Sequence, residues 1–320
     1  MGYDIIGDIP GQADKLEDLL RLLGYSDRSG AWRHEERSAI FVGDFIDRGP
    51  AQVRSVNTVR AMVDAGAAQA VIGNHELNAI AWHTPDPRRP GEYLRSHDSA
   101  KWGEKNRKQH AAFLAEVEDK PALHREIIDW FLTLPLWLDL PKLRVVHACW
   151  HPSFMAWLAP HLHMGKYLTR TLMVAATDEP EDESEKDNAN PSIFKAVECL
   201  TKGIEVPLPA GHQFHDKDGH VRNRVRVRWW DEGAITFRTA AMLLPEERES
   251  LPDCPLPVYA RVANPSKPVF FGHYWLTGIP SLQTSRAACV DYSAGNGGPL
   301  VAYRFDSEPD LIPEHFVWVG

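Results

Sequence analysis

Hydrophobic positions in the first 75 residues alternate between short continuous runs and a helical spacing. Continuous apolar runs bounded by glycine are typical of buried strands, whereas apolar residues three or four positions apart mark one face of a helix. The pattern predicts strands at 3–6, 39–42 and 70–72 and helices at 14–23 and 52–65. Because strands and helices alternate, we expect a mostly parallel sheet with right-handed crossovers.

The rest of the chain divides into a helical part, an irregular part and a final group of strands. We expect a helical insertion over about 81–140 and a cap-like insertion over about 152–267, within a single domain of residues 1–320. The acidic stretch at 177–190 is interpreted as a mobile loop. Further helices are predicted at 101–117 and 123–132, and further strands at 143–146, 269–271, 287–290, 300–305 and 316–319.

Composition narrows the possible functions. The chain has 320 residues, 43% of them hydrophobic and 25% charged, which is typical of a globular protein and excludes wholesale disorder. Its formal net charge of −9 repels polyanions, so we expect neither a nucleic-acid polymer nor a membrane surface as a partner. The four cysteines are far apart and no apolar run is long enough to span a membrane, so a cytoplasmic location is expected.

Residues able to bind a metal follow the ends of several predicted strands. Ligands of an open α/β sheet bind in the crevice at the carboxyl ends of its strands, so side chains from these loops should meet. Carboxylate, amide and imidazole ligands together suit Mn, Fe or Zn. The candidate ligands are Asp8, Asp44, Asn74, His147 and His273.

Each of these positions also has an ordinary structural explanation. Asp and Asn after glycine often satisfy their own turns, and a histidine at a strand end is commonly a core residue. The combined spacing of these residues is more specific than any single turn or core histidine. The sequence is G-D-x-x-D-R-G at 43–49 and G-N-H-E at 73–76. We therefore interpret these loops as one site.

The ordered motifs G-D-x-x-G, G-D-x-x-D-R-G, G-N-H-E, a later H and G-H resemble the calcineurin-like metallophosphoesterases. They are most similar to the PPP-type serine/threonine phosphatases and the related symmetric dinucleoside-tetraphosphatases. The resemblance is dense over 3–76 and then continues at His147 and 272–273. It implies an α/β fold, a four-layer α/β/β/α sandwich around a dinuclear metal centre, with much of the second sheet supplied by strands within 287–319.

The resemblance also implies roles for individual residues. Asp8 would bind the first of two divalent ions, with Mn²⁺ favoured and Fe or Zn as alternatives, and Asp44 would bridge both. Asn74, His147 and His273 would complete the second site, and a metal-bound hydroxide would attack phosphorus in line. The remaining roles fall to His75 as the proton donor to the leaving group, Asp47 as its orienting partner and Arg48 as a ligand of the phosphoryl oxygens.

One position departs from the family pattern. The first motif of the family is D-x-H, whose histidine binds the first metal, but this chain has Pro10 there. A second histidine found in some relatives after G-H is replaced by Trp275. We therefore expect a weak first metal site and an intact second site.

Candidates for substrate binding lie outside these motifs. The arginine that usually precedes G-N-H-E is replaced by Ile72, and the run 220–228 places an arginine at every second position from 222. As one strand, this run would present its arginines on one face. They would form either a solvated edge strand or an anion-binding wall, and Arg226, Arg48 and Tyr274 are the residues proposed to contact substrate.

The leading hypothesis is a metal-dependent phosphoesterase that hydrolyses phosphomonoesters. Its substrate would be a phosphorylated small molecule, a nucleotide or a phosphoprotein. An alternative with the same chemistry is a dinucleoside polyphosphate hydrolase. An alternative of another class is a catalytically impaired module that binds phosphate or a protein partner, because Pro10 replaces a metal ligand.

Overall fold

Two mixed β-sheets form the centre of the structure, a computed structural model that describes residues 2–215, 221–263 and 265–320. The strands are β1 (Gly2–Ile6), β2 (Ser26–Arg28), β3 (Ala31–Arg33), β4 (Arg37–Phe41), β5 (Ala68–Ala70), β6 (Trp137–Asp139), β7 (Arg144–Val146), β8 (Glu205–Pro207), β9 (Phe214–His215), β10 (Val221–Arg222), β11 (Arg224–Arg226), β12 (Val269–Phe271), β13 (Ala287–Cys289), β14 (Leu300–Phe305) and β15 (Phe316–Val319). The α-helices are α1 (Ala13–Leu23), α2 (Gln52–Asp64), α3 (Asn74–His83), α4 (Gly103–Gln109), α5 (Ala111–Val117), α6 (Pro121–Phe131), α7 (Pro152–Leu158), α8 (Arg170–Ala176), α9 (Glu183–Asp187), α10 (Ile193–Lys202), α11 (Phe237–Ala240) and α12 (Pro245–Glu249).

The first sheet has the strand order β15-β14-β1-β4-β5. Strands β1, β4 and β5 are parallel and are connected through α1 and α2, as the alternating hydrophobic pattern predicts. Strand β14 pairs antiparallel with β1 and aligns Tyr3 with Phe305. Because β1 and β4 are parallel, the first two motifs, which follow their carboxyl ends, lie at the same edge of the sheet.

The second sheet has the order β13-β12-β7-β6. Strand β12 runs parallel to both β7 and β13, so the loops after these three strands leave from one edge. The expectation that the late strands would build much of this sheet is wrong for β14 and β15. Both join the first sheet, because the free edge of β1 accepts β14 and β14 in turn accepts β15.

The two sheets face each other across a buried apolar layer. Side chains from both sheets meet there, including Ile5 and Tyr303 from the first and Val145 and Phe270 from the second. Amphipathic α1 and α2 pack on the outside of the first sheet, while Leu158 of α7 and Leu200 of α10 share a buried cluster with Phe271 of the second. This layering confirms the four-layer α/β/β/α architecture.

Several predicted elements differ from the observed ones. The helix predicted at 101–117 is broken at His110, which turns towards the site described below. The acidic stretch at 177–190 contains α9, whose first turn is capped by the Asp182 carboxylate at 2.8 Å from the Ser184 N–H. No helix in the described ranges is both long and apolar enough to cross a membrane.

The single arginine-bearing strand predicted at 220–228 is also wrong. Strand β10 pairs with β9 and strand β11 pairs with β8, so the run is divided at Asn223 between two small sheets. His220, the first residue of that run, lies outside the described residues. The division of the chain into a helical and a cap-like insertion within one domain stays a prediction.

Candidate metal centre

Four side chains from separate loops converge at the shared edge of the two sheets. The ligand atoms of Asp44, His147 and His273 lie within 4.8 Å of one another, and all three residues are buried. The Asn74 side-chain oxygen lies 3.1 Å from His147 Nε2 and 2.7 Å from His273 Nδ1. Two imidazole nitrogens, an amide oxygen and a carboxylate thus surround one point, which fits the ligands expected of a Mn, Fe or Zn site.

The orientation of these ligands is fixed by the backbone around them. His147 Nδ1 lies 2.8 Å from the Val42 carbonyl oxygen, which directs Nε2 towards Asp44 Oδ1 at 3.4 Å. Metal-binding histidines commonly donate their second N–H in this way. Gly272 is required by close packing, since a Cβ there would lie 1.9 Å from Asp8 Oδ1.

Glu76 joins two of the loops that carry candidate metal ligands. Its buried carboxylate accepts backbone N–H groups of Asp44 at 2.9 Å, Phe45 at 2.8 Å and Gly73 at 2.9 Å. Two of the three donors belong to the loop after β4, and the third precedes Asn74. The last residue of G-N-H-E therefore sets the distance between the Asp44 and Asn74 loops.

The site concentrates negative charge away from water. Burial would raise the pKa of Asp44, but the neighbouring His147 and His75 hold it below its usual range. Burial and the charge of Asp44 raise the pKa of Glu76 to about 7. Burial, Asp291 and Asp44 raise the pKa of Asp8 well above its usual range. Buried carboxylates that repel one another are stabilised by a bound cation, so the electrostatics fit a metal centre.

The first metal position, expected at Asp8 and Asp44, has fewer candidate ligands than the second position. Asp8 Oδ2 accepts the His273 backbone N–H at 3.0 Å, while Oδ1 is buried and has no hydrogen-bond partner within the described chain. Pro10 is buried nearby, and its carbonyl oxygen accepts the Gly49 N–H at 2.9 Å. Of the family ligands expected at this position, the chain therefore supplies Asp8 and Asp44 and no imidazole.

Asp291 is a site residue that the sequence interpretation missed. It is 3% exposed, and its carboxylate accepts the backbone N–H groups of Trp275 at 2.7 Å and Ser293 at 3.0 Å. After burial, its charge is the main cause of the raised pKa of Asp8. The available signal was its place directly after the predicted strand at 287–290, the same pattern that identified the other ligands.

A second cluster lies beside the metal ligands. His75 Nδ1 lies 2.6 Å from Asp47 Oδ2, and His75 Nε2 lies 3.8 Å from Asp44 Oδ2. Burial alone would lower the pKa of His75, but Asp44 and the hydrogen bond with Asp47 raise it to about 9. His110 Nδ1 also lies 2.9 Å from Asp47 Oδ2, and no motif in the sequence pointed to His110.

The substrate-binding candidates occupy three different environments. Arg48 is exposed, and its guanidinium carbon lies 4.0 Å from the centre of the Trp275 ring. Arg226 lines a cavity beside His273 and forms an ion pair with Glu205 at 3.0 Å. Tyr274 is 5% exposed, so its packing does not support contact with substrate.

Comparisons with known proteins agree with this arrangement. The model of the calcineurin-like phosphoesterase family matches residues 1–154, which contain Asp8, Asp44, Asn74 and His147. A bis(5'-nucleosyl)-tetraphosphatase PrpE, named asymmetrical, from Bacillus subtilis is 42% identical over 76 residues. Those residues are 23% of this chain and 31% of that protein, so the chain matches about a third of the relative's length.

Solved structures give weaker similarity over the whole chain. A protein serine/threonine phosphatase from Saccharomyces cerevisiae has a TM-score of 0.48 at 14% identity and covers 100% of this chain and 79% of its own. A cold-active protein-tyrosine phosphatase from a psychrophilic Shewanella has a TM-score of 0.48 at 15% identity, covering 100% and 80%. These scores are too low to assign a function. The similarity to the calcineurin-like phosphoesterase family therefore covers residues 1–154 and the motifs that they carry.

Proposed function

We propose that this chain is a metal-dependent phosphoesterase that hydrolyses phosphomonoesters. The observation that supports this most directly is the convergence of Asp44, His147 and His273, with ligand atoms within 4.8 Å, next to the His75–Asp47 pair. A metal site alone is compatible with many functions. A buried imidazole with a carboxylate partner at its edge adds the acid that hydrolysis of an ester requires.

The second metal position has a full donor set from this chain. Asp44, Asn74, His147 and His273 would hold that ion, and Asp8 with Asp44 would hold a more weakly bound first ion. Bound divalent ions would polarise the phosphoryl oxygens and lower the pKa of a coordinated water. The metal identity that we propose is Mn²⁺, with Fe or Zn as alternatives.

The residues around the ions position and protonate the substrate. Asp44 and the hydrogen bond with Asp47 raise the pKa of His75, which favours an imidazole that carries a proton for the leaving oxygen. Asp47 accepts from Nδ1, which leaves Nε2 for that transfer. The exposed Arg48 offers two parallel N–H donors to the phosphoryl group, and the ring of Trp275 limits its rotation.

The test is release of phosphate from p-nitrophenyl phosphate by the full chain with Mn²⁺ added and with the metal chelated. We expect metal-dependent activity that is lost in Asp44→Asn together with bound metal. His75→Asn should retain the metal but lose about 10²- to 10⁴-fold in kcat. Lack of activity under every metal condition would overturn the proposal and favour a non-catalytic binding module.

The names of the curated relatives favour a second candidate function. Those relatives are called asymmetrical bis(5'-nucleosyl)-tetraphosphatases, whereas the sequence motifs suggested the symmetric group. If this chain cleaves a phosphoanhydride, diadenosine tetraphosphate will be a better substrate than p-nitrophenyl phosphate. Release of ADP alone would indicate symmetric cleavage, and release of AMP with ATP would indicate asymmetric cleavage.

A further inference from the structure

A cavity of about 180 Å³ lies beside the metal centre, between α10, β11 and His273. His273 belongs to both sites, because its Nδ1 lies 2.7 Å from Asn74 Oδ1 and its side chain lines the cavity. Its Nε2 is buried and has no hydrogen-bond partner among the described residues. Leaving a buried nitrogen without a hydrogen-bond partner costs free energy. A ligand that forms a hydrogen bond with His273 Nε2 would therefore bind more tightly.

Aromatic side chains form part of the cavity wall. Phe154, Phe194 and Tyr259 line it, and both phenylalanines are less than a tenth exposed. The Tyr259 hydroxyl is buried and unpartnered within the described ranges. Flat rings stack on planar ligands with little loss of conformational entropy, so these walls suit an aromatic ring with polar edges.

Basic side chains outnumber acidic ones in the cavity lining, although the net charge of the protein is −9. Lys186 is paired with Glu179, and Lys202 is paired with Glu198. Arg224 is held by Asp187 through contacts of 2.9 and 2.6 Å, and Arg226 is held by Glu205 at 3.0 Å. Arg226 Nε is buried without a hydrogen-bond partner in the described part of the chain. The charged lining residues are Lys186, Lys195, Lys202, Arg224, Arg226, Glu198 and Glu205.

We propose that this cavity binds the part of the substrate beyond the reacting phosphoryl group, as a planar aromatic ring that carries two linked phosphates. The ring would stack between Phe194 and Tyr259, and Arg226 would bind the phosphates. Arg48, which we assign to the reacting phosphoryl group, does not line the cavity. The basic residues of the cavity are therefore additional to Arg48 and would bind phosphates other than the reacting one. This inference rests on the proposed phosphoesterase function in its second form, cleavage of a phosphoanhydride, and narrows the leaving group to a nucleoside diphosphate.

Titration calorimetry on the Mn²⁺-loaded full chain tests the proposal without turnover. The probes are α,β-methylene-ADP, methylenediphosphonate, which keeps the charges and the chelating group but lacks the ring, and benzylphosphonate, which keeps a ring and one anionic group. We expect α,β-methylene-ADP to bind at least about tenfold more tightly than either of the other two. Equal affinity for methylenediphosphonate would show recognition by metal alone, and equal affinity for benzylphosphonate would show a pocket for aryl monophosphates. Either result would overturn the proposal.

Variants locate the binding to the cavity. Arg226→Gln should weaken α,β-methylene-ADP binding by about tenfold or more, since it removes a charged donor. Tyr259→Phe keeps the ring and should weaken binding by about two- to tenfold. The matched control is Arg238→Gln, an arginine of the same region paired with Asp253 at 4.0 Å outside the cavity lining, which should leave affinity unchanged.

The outcomes also separate this inference from the proposed function. If p-nitrophenyl phosphate is hydrolysed and α,β-methylene-ADP shows no preference over its halves, only the inference about the cavity is wrong. If nothing is hydrolysed but the tenfold preference and the effect of Arg226→Gln remain, the cavity is a nucleotide-binding site and the phosphoesterase function is wrong.

Discussion

His110 Nδ1 lies 2.9 Å from Asp47 Oδ2, the same oxygen that His75 Nδ1 approaches to 2.6 Å. The carboxylate of Asp47 is therefore held between two imidazoles, one from G-N-H-E and one from the break between α4 and α5. Burial raises the pKa of Asp47, but the neighbouring imidazoles of His110 and His75 lower it below its usual range. His110 is thus a positioning residue for the proposed proton donor.

Replacing His110 should impair turnover more than substrate binding. His110→Phe keeps a ring but removes the nitrogen beside Asp47, so we expect kcat for p-nitrophenyl phosphate to fall about tenfold with KM unchanged. His110→Asn, which can place a donor near the position of Nδ1, should recover part of that loss. His124→Gln changes another buried histidine, in α6, and serves as the control. Equal losses in His110→Phe and His124→Gln would show that the effect is only on stability.

Pro10 should limit the number of metal ions that the chain retains. We expect about one tightly bound equivalent in the purified protein, because the first position offers only Asp8 and Asp44 from the family ligands. Pro10→His should raise the metal content towards two equivalents, whereas Pro10→Ala should leave it unchanged. Elemental analysis after dialysis measures this directly. Two equivalents in the unaltered chain would contradict the prediction, and their loss in Asp291→Asn would identify Asp291 as the compensating ligand.

Glu76 should contribute strongly to stability. In Glu76→Ala three buried N–H groups lose their acceptor, at a cost of about 1–3 kcal/mol for each group that stays unpaired. We expect a total loss of about 3 kcal/mol or more in urea unfolding of the metal-free protein. Glu76→Gln retains one acceptor oxygen and should lose less. Similar losses in both variants would mean that the carboxylate charge, and not the number of acceptors, stabilises the loops.

Acid should destabilise the fold partly through His124. Burial and the neighbouring His83 lower the pKa of His124 to about 4. The unfolded chain takes up a proton on this residue below about pH 6.5, while the folded chain does so only near pH 4. The unfolded state thus binds more protons in this window, and stability falls by up to about 1.4 kcal/mol per pH unit as the pH drops. In chelator, thermal unfolding of His124→Gln should depend less on pH between 6.5 and 4 than that of the unaltered chain, and identical profiles would contradict the assignment.

Local sequence pattern predicted most of the first sheet and its helices. The leucines of α1 and the apolar runs of β1 and β4 act through neighbours in the chain, so periodicity alone identifies them. The hydrophobic pattern did not predict which sheet a strand joins, because that depends on its pairing partners. Strands β14 and β15 look like any other apolar strands in the sequence, and only pairing with β1 places them in the first sheet.

Some residues of the site could also be identified from local sequence motifs, whereas others could be identified only from the folded structure. Asp44, Asn74 and His75 lie in motifs whose spacing is specific enough to name them from the sequence alone. His110 and Asp291 lie in no motif, and their roles arise because the folded chain brings them against Asp47 and Asp8.

By itself, the amino-acid sequence determined the parallel strands β1, β4 and β5 with their helices α1 and α2, the residues able to bind a metal and the absence of an imidazole at Pro10. Only the tertiary structure decided that Asp291 lies near Asp8, that His110 contacts Asp47 and that a basic, aromatic-lined cavity borders His273. The physical reason is distance along the chain. Metal-ligand motifs are short and follow single strands. These three relationships instead join different segments of the chain, whose proximity depends on sheet pairing and on helix packing.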